Sequence, residues 1–272
     1  MVSKGMTRTE VETGNDAIRY EIDGYTAYVT FSRPDAYNAL TPAMMRAGAR
    51  AIKEADNRDA VRGIVVTGNG EAFCSGADLG ETIPRWTEDT TNVHPAEDDL
   101  QLRRTLITTP IVAAVNGDCL AGGMEFLQAT DIRVAAESAR FGLTEARWGV
   151  SPVSGSHVRL PRQLPYAKAM EYLLTADIFP ADHALEAGLV NEVVPDGEVV
   201  SRAEEIVDQI AQNSPHAIRK TKESVLRCLG KPLDDAFRLE SEIGREVFAH
   251  EDAVEGPRAF MNDSEPSFRP DE

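Results

Sequence analysis

Two glutamates, Glu125 and Glu145, each follow a glycine-containing turn. The turns read Asn116-Gly117-Asp118-Cys119-Leu120-Ala121-Gly122-Gly123-Met124-Glu125 and Phe141-Gly142-Leu143-Thr144-Glu145. Upstream stands Ala72-Phe73-Cys74-Ser75-Gly76-Ala77-Asp78-Leu79, whose small residues let backbone approach a ligand closely. Gly122-Gly123 open a predicted helix, where the first N–H groups lack intrahelical partners and carry the positive end of the helix dipole. An oxyanion placed there is stabilised. Glu125 lies almost one helical turn on, near the face of Gly122. Two close carboxyls titrate as a coupled pair, one of them readily protonated. Two carboxyls and two backbone N–H donors around one carbonyl suit proton transfer next to a thioester. Each piece alone reads as ordinary structure: a helix start with a first-turn charge, a turn capped by Asp78, a solvated loop glutamate. The combination carries the chemistry.

The elements that must position these groups follow from periodicity. Residues 17–31 alternate around Asp23-Gly24 and predict a β-hairpin. Residues 32–40 form a loop, and Thr41-Pro42 cap a helix to about Asn57. Gly63–Gly68 and Ile111–Val115 are short, continuously apolar strands of the kind covered on both faces. Residues 80–99 read as loop, with Pro84, Pro95 and the acidic Glu97-Asp98-Asp99, and a helix is expected from there to about Thr108. Asp131–Ala135 and Arg140–Gly142 are strand-like. The alternation predicts an α/β fold with parallel strands. From about Arg202 the pattern is helical only: Ala203–Gln212, Ser214–Leu229, Leu233–Ala249 and Glu251–Asn262. This places a boundary near 197–201, dividing a core at 15–200 from a helical region at 201–272.

The chain has 272 residues, enough for a full core. With 28 Lys and Arg against 45 Asp and Glu, its net charge of −17 argues against nucleic acid or an anionic membrane as partner. Arg46, Arg50 and Lys53 share a helix face, but Glu54, Asp56 and Asp59 follow and weaken it as an RNA surface. No apolar run is long enough to span a membrane, and the first residues carry no apolar signal segment. Three widely spaced cysteines, Cys74, Cys119 and Cys228, give neither a zinc pattern nor a disulfide framework. A cytoplasmic protein without metal is expected. His94 reads as solvated, and His183, His216 and His250 as structural. His157 is a possible neighbour of a ligand, and Trp86 and Trp148 are core or pocket wall.

The three chemical segments, in this order and spacing, resemble the crotonase superfamily, that of the enoyl-CoA hydratases and isomerases. The likeness covers nearly the whole chain. Arg33–Leu40 is similar to the family's CoA-contacting loop, here with Asp35, Ala36 and Tyr37. Ala72–Leu79 resembles its first oxyanion segment, with Ser75 at the donor position, and Asn116–Glu125 its second, with Gly122 as the other donor. Pro152, Gly155, Arg159-Leu160 and Ala187–Val194 match the stretches that follow.

The resemblance implies a crotonase-like spiral of ββα units with a C-terminal helical trimerisation region, assembled as a trimer or dimer of trimers. It implies that Glu125 and Glu145 act on a water and on Cα of a trans-2-enoyl-CoA, giving a 3-hydroxyacyl-CoA. The amides of Ser75 and Gly122 would hold the thioester oxygen as an enolate. Residues implied at the CoA or acyl group are Asp35, Ala36, Tyr37, Ala72, Phe73, Ser75, Gly76, Ala77, Asp78, Leu79, Gly122 and Trp148, with Phe260 reaching a neighbour's CoA. Coenzyme A is part of the substrate, and no separate cofactor is implied. Both glutamates favour a hydratase over two alternatives: an isomerase, hydrolase or C–C lyase on the same fold, or a non-catalytic acyl-CoA-binding subunit. The chain departs from the family pattern at Ala121, where a glycine is common, at Asp35 and Asp263, where lysines occur, and at Arg147-Trp148, Ser154, Ser156 and His157.

Overall fold

Glycine corners pass the chain back and forth between two sheets in this computed structural model, which describes residues 8–93 and 99–268. Strand β1 (Thr9–Val11) pairs antiparallel with β2 (Ile18–Asp23), and β2 with β3 (Thr26–Phe31), the expected hairpin. Helix α1 (Pro42–Asp56) starts where Thr41 accepts a hydrogen bond from the Met44 amide and Pro42 needs no partner. Then come β4 (Gly63–Gly68), β5 (Ala72–Cys74), α2 (Thr82–Glu88), β6 (Ile111–Val115), β7 (Asp118–Leu120), α3 (Gly122–Leu127), β8 (Ile132–Ala136) and β9 (Arg140–Gly142). The remainder is α4 (Ser156–Gln163), α5 (Tyr166–Thr175), β10 (Phe179–Pro180), α6 (Ala181–Glu186), β11 (Glu192–Val194), α7 (Val199–Ala211), α8 (Pro215–Cys228), α9 (Leu233–Ala249) and α10 (Asp252–Met261).

The larger sheet runs β1-β2-β3-β4-β6-β8-β11, parallel from β3 onward, and the smaller runs β10-β9-β7-β5. Each successive pair, β4/β5, β6/β7 and β8/β9, gives its first strand to the larger sheet and its second to the smaller. This is the mixed α/β spiral that the sequence predicts. The corners demand glycine. A Cβ on Gly68 would lie 2.2 Å from the Ala72 carbonyl oxygen, and one on Gly117 2.0 Å from that of Glu71. Asn116 ties the corners together, accepting from the Gly68 amide at 3.0 Å and donating to the Gly70 carbonyl at 2.9 Å. Phe31, Phe73 and Phe126 pack edge-on and stacked at 5.6–6.5 Å, fixing α3 against the small sheet.

Three expectations change. The helix expected up to Thr108 is absent, because the Asp99 carboxylate takes the amides of Arg103, Arg104 and Thr105 and Leu102 adopts a φ of +50°. A local side-chain acceptor here outcompetes the helical ladder. Conversely, α2 forms inside the stretch expected as loop, nucleated by Asp78, whose side chain receives the amides of Gly80 and Glu81 and whose carbonyl receives those of Thr82 and Ile83. Finally, the boundary expected at 200/201 falls inside α7. That helix buries Ala203, Ile206 and Val207 and packs on β4, β6 and β8, so it belongs to the core. The helical tail leaves the core at α8, which stays tied to it by Arg219 on the Asp56 carbonyl and Lys222 on Asp131. His94, Pro95 and Glu97-Asp98 lie outside the described residues. Among the described residues no helix is long and apolar enough to cross a membrane.

Candidate active site

The loop after β5 meets the loop before α1 in a single parallel bridge between Leu40 and Ala77. The Leu40 amide donates to the Gly76 carbonyl and the Asp78 amide to the Leu40 carbonyl. In that pattern the N–H of Ala77 faces away from Leu40. It faces the start of α3: a Cβ placed on Gly122 would lie 3.4 Å from the Ala77 nitrogen. The Ser75 amide, by contrast, is consumed by the Tyr37 carbonyl at 3.0 Å. The amide left open on this loop is thus that of Ala77, and the Ser75 amide expected as a donor is occupied. Among the described residues the amides of Ala77 and Gly122 have no acceptor, and both residues line the same cavity. The sequence signal was one of alternation: in an extended segment the N–H groups of Ser75 and Ala77 share a side, and only the Tyr37 contact decides which is free.

Gly76, at a φ of +109°, lets the two turns touch, since a Cβ there would meet the Ala121 Cβ at 2.7 Å and the Gly122 nitrogen at 3.1 Å. Ala121 itself sits at φ +47°, ψ −124°, a conformation that disfavours any side chain. Strain of this kind costs about 1–3 kcal/mol. Ala121→Gly relieves it but adds freedom to the unfolded chain, so a net gain of about 1 kcal/mol is expected, read as a higher urea midpoint with an unchanged slope. An unchanged or lower midpoint would show that Ala121 is not strained.

Glu125, on α3, and Glu145, at the head of a 3-10 turn through Trp148, are both buried, at 3% and 9% exposure. Their surroundings differ. Glu125 Oε1 accepts from the Ser156 amide at 3.3 Å, and the carboxylate also receives hydrogen bonds from Ser154. Burial pushes its pKa up to about 7, and these donors hold it from going further. Neither oxygen of Glu145 has a hydrogen-bond partner among the described residues. Burial and the nearby charge of Glu125 push its pKa up to about 8. At neutral pH the pair thus holds a proton, and the carboxyl without donors is the one placed to keep it.

Both glutamates open on a cavity of about 500 Å³, mainly apolar, closed by Met45 of α1, Ile83 and Trp86 of α2, and Val150 and Val153. Of the residues implied at the ligand, Ser75, Ala77, Leu79, Gly122 and Trp148 stand on its wall. Others do not. Ala72 and Phe73 are core. Asp78 pairs with Arg33 at 2.5 Å and is held below the usual carboxylate range by it. Asp35, Ala36 and Tyr37 lie outside the wall, Asp35 and Tyr37 exposed. Phe260 is 81% exposed on α10. His157 is exposed and meets Ser151, a wall residue, at 3.2 Å. Trp86 was expected as core or pocket wall, but Ile83 beside it on α2 and Gln101 went unseen in the sequence, since both depend on the capping by Asp78 and Asp99. Gln101 is held by Arg159 of α4, which donates to its carbonyl at 2.7 Å.

The family model for enoyl-CoA hydratase/isomerase matches residues 21–271. The enoyl-CoA hydratase EchA19 of Mycobacterium tuberculosis is 42% identical, the match covering 95% of this chain and 98% of that protein. The short-chain-enoyl-CoA hydratase of Clostridium acetobutylicum is 36% identical over 89% of this chain and 93% of its own. The crystal structure of an enoyl-CoA hydratase/isomerase from Mycobacterium paratuberculosis superposes with a TM-score of 0.85 at 37% identity, covering 94% of this chain and 99% of the other. The chain belongs to the enoyl-CoA hydratase/isomerase family.

Proposed function

We propose that this protein adds water across the double bond of a trans-2-enoyl-CoA to give a 3-hydroxyacyl-CoA. The observation that carries this reading is the unequal pair of buried carboxyls beside two unpaired amides on one apolar cavity. The Glu125 carboxylate takes a proton from water as its oxygen bonds to Cβ. The electron pair of the double bond moves into the thioester, and the amides of Ala77 and Gly122 receive the enolate oxygen. Glu145 then delivers its proton to Cα as the carbonyl reforms. One proton enters at Glu125 and one leaves from Glu145, so exchange between the carboxyls or with solvent resets the site. The net change is the addition of OH at Cβ and H at Cα with no overall oxidation or reduction, so no redox group or metal is required.

The test is a panel of trans-2-enoyl-CoA esters of graded length and branching, followed by loss of the conjugated absorbance. Hydration of at least one member is expected. Release of free thiol or migration of the double bond, with no hydration of any member, would overturn the reading in favour of a hydrolase or isomerase.

The exposed Phe248, Val254, Phe260 and Met261 on α9 and α10 support a homo-oligomer, a trimer or a dimer of trimers, as the working form, with Phe260 near a neighbour's site. Light scattering should return a trimer or hexamer, and a chain cut before α8 should aggregate. An active monomer would sink the assembly. The three unpaired cysteines support a cytoplasmic location.

A further inference from the structure

Two serines behind Glu125 distinguish it from Glu145. Ser154 is 3% exposed and reaches the cavity wall, and Ser156, fully buried, opens α4. The Ser156 amide donates to Glu125 Oε1 at 3.3 Å, and both serines, through hydroxyl and amide, favour the charged carboxylate. The Ser156 hydroxyl is oriented from behind. Gln128, one turn along α3 from Glu125, donates through Nε2 to Ser156 Oγ at 2.8 Å and to the Met124 carbonyl at 3.1 Å. That contact uses Ser156 Oγ as an acceptor and leaves its hydrogen to donate, and the hydroxyl favours the charged form of Glu125. Gln128 is itself held, since Gln163 donates to its carbonyl at 2.8 Å. Among the described residues no such chain reaches Glu145.

We propose that Ser154 and Ser156, with Gln128 behind them, are positioning residues that aim the Glu125 carboxylate at the cavity and make it the base of the pair, leaving Glu145 as the acid. The inference rests on the hydratase reading and adds to it the source of the division of labour. Hydroxyls that donate to a carboxylate stabilise its ionised form selectively. Without them, two buried carboxyls on one cavity compete for the shared proton, and part of the enzyme carries it on the wrong partner. The serines touch the carboxylate and not the reacting atoms, so their effect must appear in proton affinity more than in substrate binding.

The experiment is the pH dependence of kcat/KM for the full-length enzyme and for Ser154→Ala, Ser156→Ala, Ser154→Thr and Gln128→Met. A carbon-13 glutamate NMR titration of each unliganded protein runs in parallel. Loss of a hydrogen bond to a charged group is worth roughly one pH unit. Each alanine variant should therefore move the acid limb of the profile upward by about that much, with activity recovering at higher pH. Ser154→Thr keeps the hydroxyl and should keep the limb in place. Gln128→Met conserves volume and should shift the limb the same way by less. The NMR titration of Glu125 should move in step with the limb. An acid limb unmoved in both alanine variants, whether activity is kept or is lost equally at every pH, would overturn the proposal. A wild type that hydrates nothing while the NMR titration still shifts would overturn the hydratase reading and leave the serine–carboxylate coupling standing.

Discussion

Glu145→Gln and Glu125→Gln should each lower kcat by about 10²–10⁴-fold, the usual worth of a positioned acid or base, with much less change in thioester affinity. The two variants should fail differently with pH. Glu125→Gln removes the group whose ionisation sets the acid limb, so the residual rate should no longer rise through about pH 7. Glu145→Gln removes the alkaline limb near pH 8. It also removes the like charge beside Glu125, which should then ionise at lower pH. The same variants report on stability. Glu145 is raised above its ordinary 4.5 to about 8 in the folded protein. Its cost to folding is therefore absent below the unfolded value, grows as pH rises from there, and levels off above about 8. At one pH unit per 1.36 kcal/mol, that cost reaches about 3 kcal/mol at pH 7. Gln cannot ionise, and the cost reaches about 4 kcal/mol at pH 8, so Glu145→Gln should raise Tm by about 10 °C at pH 8 and leave it unchanged at pH 4. An equal Tm at both pH values would mean that Glu145 is not held protonated. Retention of more than half the activity in either variant would remove that residue from the reaction.

The parts of this molecule legible in the sequence are those decided locally. Gly63–Gly68 and Ile111–Val115 are continuously apolar and bounded by glycine, and both are strands over those residues. Thr41-Pro42 and Ser214-Pro215 carry their own caps, and α1 and α8 begin there. Glu125 and Glu145 were legible as a pair because the two glycine turns and the first loop together restrict the chemistry. What was not legible depends on contacts between distant segments. Asp99 and Asp78 are alike as residues, yet one unwinds an expected helix and the other starts an unexpected one, according to which amides reach each carboxylate. Phe73 and Ala72 sit in the motif that lines the site, yet the strand they form turns them into the core and leaves Ala77 and Leu79 on the wall. The free amide at Ala77 was hidden for the same reason, because its register is set by Leu40 on another loop.

That register makes the last expectation a sharp one. Replacing the peptide N–H of Ala77 with an ester oxygen, through the corresponding α-hydroxy acid, should cut kcat by about 10²–10³-fold, as loss of one oxyanion donor does. The folded state should hardly notice, since among the described residues that N–H serves no structural carbonyl. The same change at Ser75 removes the donor to the Tyr37 carbonyl. It should lower stability by about 1 kcal/mol and leave kcat within a few-fold once the protein is folded. Ser75→Ala, which keeps the amide, should be mild in both respects, and Ala77→Pro should be inactive. Binding of a saturated acyl-CoA should weaken far less than kcat in the Ala77 ester, because the amide is needed most when charge has moved onto the thioester oxygen. Full activity in the Ala77 ester, or loss of kcat in a well-folded Ser75 ester, would return the donor role to Ser75. It would also show that the Tyr37 contact breaks when substrate enters.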